Sequence, residues 1–123
     1  MIHVLPNILN AGELAMVREL IPQVRFADGR ITNQASTVKR NLQAPLEDPA
    51  NARIAEIARN ALMRHADVRL FGQPRQMART TVVRYEPGMT YGWHVDEALF
   101  PSTPPMRSDL SCTVFLNSPT EYQ

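Results

Sequence analysis

The sequence predicts an α+β fold, and three observations predict it. Apolar residues recur at helical spacing in the first half, a stretch rich in Thr, Val and Tyr with strand periodicity begins at Gln76, and the two patterns are segregated rather than alternating as βαβ units. At 123 residues the chain holds one domain, read as a helical support region over 1–75 and the first part of a β core over 76–123. With 44% hydrophobic and 20% charged residues it has the composition of a globular protein rather than a disordered one.

The opening IHVLPNIL reads as a short strand and a turn. Asn10 with Glu13 three residues on forms a variant of the capping box, so a helix should begin there. Leu14, Val17, Leu20, Ile21 and Val24 form its apolar face, and Pro22 bends or ends it. FADGRI carries a tight-turn signal at Asp28 and Gly29, and the segment through STVKRNLQ reads as a polar strand or loop.

Asp48 followed by Pro49 signals a second helix start, because proline at the first helical position gives up a hydrogen bond that the helix would not make there. Ile54, Ile57, Ala58, Ala61 and Leu62 make one stripe, with Arg53, Arg59, Asn60 and Arg64 mainly on the other side. Such a helix packs on something, most simply the outside of a sheet.

From Gln76, MARTTVVRYEPGMTYGWHVD reads as strand, turn and strand, broken at Pro87-Gly88. FPSTPP is a loop that cannot pair as a central strand, and DLSCTVFLN reads as a further strand. Within it Cys112 alternates with Leu110, Val114 and Leu116, which predicts a buried small hydrophobe.

Charge and cysteine content bound the function. Lys and Arg number 13 against 12 Asp and Glu, so no strong field favours nucleic acid or an anionic membrane, and the expected partner is a small or peptide-like substrate. A single cysteine and no charged-then-apolar leader point to the cytoplasm.

Within TYGWHVDE, residues two apart along a strand share a face, which places His94 and Asp96 together and turns Tyr91, Trp93 and Val95 the other way, Trp93 and Val95 into a packed core. An imidazole nitrogen and a carboxylate oxygen on one face are two neighbouring ligands for a first-row metal, with Gly92 leaving room for approach. A His-x-Asp in a strand serves equally as a structural hydrogen-bonded pair. Arg79 and Arg84 are rim charges or an anion site, His65 is a cation near a helix C-terminus, and His3 lies on an edge strand.

The string RYEPGMTYGWHVDE, followed by RSDLSCTVFLN, resembles the Fe(II)/2-oxoglutarate-dependent dioxygenases of the prolyl-hydroxylase type. The likeness is closer to the bacterial PKHD-type hydroxylases, and it extends to HVLPNIL, the FADGR turn, VKRNLQ and RSDLSCTVFLNSPTEYQ. That resemblance implies a double-stranded β-helix (jelly-roll, cupin-like) with N-terminal helices packed on its first strands. It implies His94 and Asp96 as iron ligands and Tyr85 as a residue lining the co-substrate site. The implied reaction places one oxygen into an unactivated C–H bond while 2-oxoglutarate becomes succinate and carbon dioxide, with Fe(II) as metal and L-ascorbate as reductant.

The family's pattern continues with a second histidine and a basic anchor for the co-substrate, and no histidine follows Asp96 here. The expectation is an incomplete β-helix, inactive alone, whose unpaired strand edges favour self-association. Two other readings stand beside it: a non-catalytic binding module, and a structural β-domain in which His94 and Asp96 bond each other.

Overall fold

A computed structural model of the chain describes residues 1–121. The Tyr122-Gln123 end of the last resemblance string lies outside the described residues.

Asn10 starts the first helix, α1 (Ala11–Leu20), through a complete capping box. Its side chain accepts from the Glu13 N–H at 2.8 Å, and the Glu13 carboxylate accepts from the Asn10 N–H at 2.9 Å. The helix gives way to a 3₁₀ turn, Ile21–Gln23, where Pro22 interrupts it. Of the expected apolar face Val17 and Val24 are buried, and Leu20 and Ile21 pack against the core.

The second helix, α2 (Pro49–Arg64), is capped by Asp48, whose Oδ1 accepts from the Asn51 N–H at 2.9 Å. The stripe Ile54, Ile57, Ala58, Ala61 and Leu62 is buried throughout, as its spacing predicts. Against the expectation of a helix laid simply on a sheet, α2 also packs on α1, and Arg64 clasps Glu13 with two bonds of 2.8 and 2.9 Å. A short π-helix, Val68–Gly72, follows. Val17, Val24, Ala44, Ala50, Ile54, Ile57 and Val82 form one core, with Phe26 and Leu116 against it.

Among the described residues, seven two-residue strands form three small antiparallel sheets. They are β1 (Ala27–Asp28), β2 (Lys39–Arg40), β3 (Leu42–Gln43), β4 (Val83–Arg84), β5 (Thr90–Tyr91), β6 (Leu99–Phe100) and β7 (Met106–Arg107). One sheet runs β1-β3-β4, one pairs β2 with β5, and one pairs β6 with β7. Helices with small antiparallel sheets make the chain α+β.

Several expectations are corrected. The IHVLPNIL opening forms no strand, and His3 instead stacks on Phe71 with ring centroids 4.7 Å apart. The Pro87-Gly88 break is a tight turn, closed by Met89 N–H to Glu86 O at 2.9 Å with Gly88 at φ 84°. It does not join a hairpin: β4 pairs with β3 and β5 with β2, so the turn carries the chain from one sheet to another. The proline-rich loop is itself spanned by β6 and β7, with a cis Thr103–Pro104 bond.

DLSCTVFLN forms no strand, and Cys112 is exposed rather than buried. A strand needs a partner for its amides and carbonyls, and no described segment pairs with this one. The same reason explains Trp93 and Val95, which are 101% and 96% exposed instead of anchoring a core. The segment from Gly92 through Ala98 leaves the sheet after Tyr91, so strand alternation no longer assigns its side chains to faces.

Candidate metal centre

The site begins at β2, a strand whose neighbours fix the start of the histidine segment. Lys39 pairs with Tyr91 and Arg40 with Thr90, and the Gly92 N–H extends the ladder to Val38 O at 3.0 Å. Glycine suits this position, because a Cβ on residue 92 would lie 3.2 Å from the Val38 Cβ.

His94 and Asp96 meet although no strand holds them. His94 Nε2 lies 3.2 Å from Asp96 Oδ1, with the two side chains 32% and 59% exposed. On its other side His94 Nδ1 lies 2.7 Å from the Gly92 carbonyl oxygen. A carbonyl only accepts, so Nδ1 carries the hydrogen and donates it. In the neutral ring Nε2 then presents a lone pair to a carboxylate oxygen, an arrangement that needs a positive charge between them. A proton on Nε2 meets the need, and so does a metal ion.

The spacing fits the metal. Nitrogen and oxygen donors bound at about 2.1 Å along perpendicular directions stand about 3 Å apart. The Nδ1–H bond to a backbone carbonyl is also the outer bond that metal-ligating histidines commonly make to fix their tautomer. His94 and Asp96 are thus arranged as two adjacent donors. Among the described residues no group of three His, Cys, Asp or Glu side chains is gathered to hold an ion.

The surroundings include residues that strand periodicity misassigns or passes over. Tyr91, expected on the opposite face, has its ring stacked on His94 with centroids 3.7 Å apart and planes 9° apart. Loss of solvent raises the Tyr91 phenol pKa, and the Asp96 carboxylate, Tyr85 and the Glu97 carboxylate add to the rise. Lys39 is buried with its ammonium 5.5 Å from the Tyr91 ring centre, donating to Thr32 Oγ1 at 2.9 Å and Gln43 Oε1 at 3.0 Å. Burial lowers the Lys39 pKa, and the Asp28 charge partly opposes this.

Tyr85 is half exposed and accepts a hydrogen bond from Asn41 Nδ2 at 3.0 Å. Its own hydroxyl hydrogen is therefore free to donate elsewhere. The polar alternation of Lys39, Asn41 and Gln43 in VKRNLQ was the signal for this layer, since a strand that buries polar residues two apart must be serving them with partners. Of the remaining sequence candidates, His65 caps the C-terminus of α2, Arg79 lies 3.9 Å from Glu47, and Arg84 pairs with Glu86 at 3.1 Å. None of these is brought to His94.

Sequence comparison bears on what such a chain is. No family model matches it. It is 38% identical over 120 residues to a PKHD-type hydroxylase of Sphingopyxis alaskensis, covering 96% of this chain and 54% of that protein. Against a PKHD-type hydroxylase of Klebsiella pneumoniae it is 35% identical over 127 residues, covering 100% of this chain and 56% of the relative. A third, from Hyphomonas neptunium, is 37% identical over 99% of this chain and 56% of its own length. The chain spans about half the length of the curated relatives it matches. These relatives are all named as hydroxylases. Over nearly its whole length the chain is thus similar to part of several PKHD-type hydroxylases. No described helix is long and apolar enough to cross a membrane.

Proposed function

We propose that this chain supplies two of the metal ligands, His94 and Asp96, of an Fe(II)- and 2-oxoglutarate-dependent hydroxylase. The observation that carries the reading is the arrangement of His94: Nδ1 committed to the Gly92 carbonyl, and Nε2 set 3.2 Å from Asp96 Oδ1. Iron held there would, with 2-oxoglutarate and with ascorbate as reductant, supply the oxidising chemistry for placing a hydroxyl on an unactivated carbon.

The chain's own residues orient and bind. Gly92 holds the imidazole in the metal-binding tautomer, and Asp96 supplies the charge that favours a divalent ion. Tyr85, with its oxygen already accepting from Asn41, keeps its O–H as a donor for a co-substrate carboxylate. Among the described residues no third ligand is gathered beside them, so a complete site would draw one from elsewhere in the same polypeptide or from a second one. The prime substrate is a small or peptide-like molecule, met in the cytoplasm.

The rival reading, a structural His–Asp pair, is disfavoured by exposure. An ion pair with side chains 32% and 59% exposed contributes little to folding, which leaves a structural role with little to do. Cobalt(II) titration of the wild-type chain, His94→Ala and Asp96→Ala tests this. Both variants are expected to keep the wild-type circular dichroism and lose cobalt binding. Variants that unfold while metal binding is unaffected would support the structural pair instead. With two ligands the 123-residue chain is expected to form negligible succinate from 2-oxoglutarate, and robust turnover would overturn the need for an outside ligand.

A further inference from the structure

We infer that Tyr91 is a positioning residue for His94, a flat surface that sets the plane of the imidazole so that Nε2 faces Asp96. The inference rests on the proposed metal site and goes beyond it, since Tyr91 is not one of the proposed ligands. It starts from what one hydrogen bond leaves undone. The Gly92 carbonyl fixes which nitrogen of His94 carries the hydrogen, but the ring can still tilt about that bond. His94 is 32% exposed at its side chain, so no enclosing core prevents the tilt.

The Tyr91 ring removes that freedom. It lies 3.7 Å from the imidazole centre and within 9° of parallel, close enough that a tilt of either ring meets the other. The tyrosine is itself held from two directions. Its backbone is paired with Lys39 in the β2–β5 ladder, and its ring faces the buried Lys39 ammonium at 5.5 Å. That ammonium is fixed in turn by Thr32 and Gln43. Gly92, bonded to Val38 on one side and to His94 on the other, is anchored by the same strand. Strand β2 therefore fixes both the tautomer and the plane of a histidine that lies outside any sheet.

The test uses the full chain and two variants. Tyr91→Phe keeps the flat ring, and Tyr91→Leu keeps apolar bulk without it. In proton NMR of the metal-free wild type, the carbon-bound ring protons of His94, assigned by their loss in His94→Ala, should be shifted upfield by the tyrosine ring. The shift should persist in Tyr91→Phe and vanish in Tyr91→Leu. Cobalt(II) should bind Tyr91→Leu about tenfold more weakly than wild type, at the lower end of what groups that orient metal ligands contribute. Tyr91→Phe should bind as wild type does.

If the wild type binds cobalt more tightly than His94→Ala while Tyr91→Leu matches the wild type, the inference fails and the metal site stands. Should the wild type bind no more tightly than His94→Ala, the metal site fails and the inference falls with it. Should Tyr91→Leu not fold, the wild-type spectrum still decides, because His94 ring protons at ordinary solvent positions would overturn the stack.

Discussion

Gly29 is where a single atom decides the most. Its N–H donates to the Asn41 carbonyl at 2.9 Å, and a Cβ there would overlap the Asn41 side-chain oxygen while standing 3.2 Å from its backbone oxygen. The Asn41 amide is the group that donates to Tyr85, so the clash would be passed to the proposed co-substrate residue. Gly29→Ala is expected to destabilise the chain by about 1–3 kcal/mol, as overpacking of a closed site does. Urea denaturation gives the number, and an unchanged midpoint would mean that Asn41 has room to move. The turn signal at Asp28-Gly29 was legible in the sequence, whereas the contact that forbids a side chain was not. Asn41 arrives from another strand, and strand pairing is not written locally.

Helix α2 shows how an element is held at its end. Asp48 caps it through Oδ1, and its Oδ2 accepts from the Arg25 N–H at 2.9 Å, tying the cap to the segment after α1. Losing both bonds in Asp48→Ala is expected to lower Tm by about 5 °C. The Arg25 N–H and then the Asn51 N–H hold the Asp48 carboxyl below its ordinary value. A carboxyl with a lower pKa in the folded state stabilises fully above the unfolded value of about 4, and that stability is lost as pH falls below it. The Tm difference between wild type and Asp48→Ala should thus be full at pH 7 and shrink as pH drops below about 4. A difference that stays constant into acid would show that the carboxylate's charge contributes nothing.

At the same scale the sequence was most reliable for helices. Capping residues and a 3.6-residue stripe act within one segment, so Asn10, Glu13, Asp48 and Pro49 marked both starts and the α2 stripe marked its buried face. Strands were read too long. The TTVVRY and DLSCTVFLN stretches have strand composition, yet only Val83–Arg84 pairs in the first and no residue in the second. A strand's hydrogen bonds go to a neighbour, so composition alone cannot complete it.

For the whole molecule the consequence is an exposed apolar surface. Trp93, Val95, Leu99 and Leu110 are all exposed, and the two-residue strands leave edges open. Self-association is the expected outcome at tens of micromolar, read as a concentration-dependent sedimentation coefficient. Trp93 is the one tryptophan, so its emission should shift to the blue as association covers it. Replacing Trp93 and Val95 together by serine should restore a concentration-independent monomer. A wild type already monomeric across that range would show that this surface does not pair with itself.

What the sequence determined by itself is what local chemistry controls: two capped helices, a Pro-Gly turn, the α+β class, and the His-x-Asp spacing that lets two donors meet. The meeting did not come about by the route that spacing suggests. His94 and Asp96 converge outside a strand, and Tyr91, assigned to the far face, lies against the imidazole. Tertiary structure decided this because β2, some fifty residues earlier in the chain, pairs with Thr90 and Tyr91, then lets the backbone go at Gly92. Alternation of faces holds only as far as the ladder extends, and here the ladder ends two residues before the histidine.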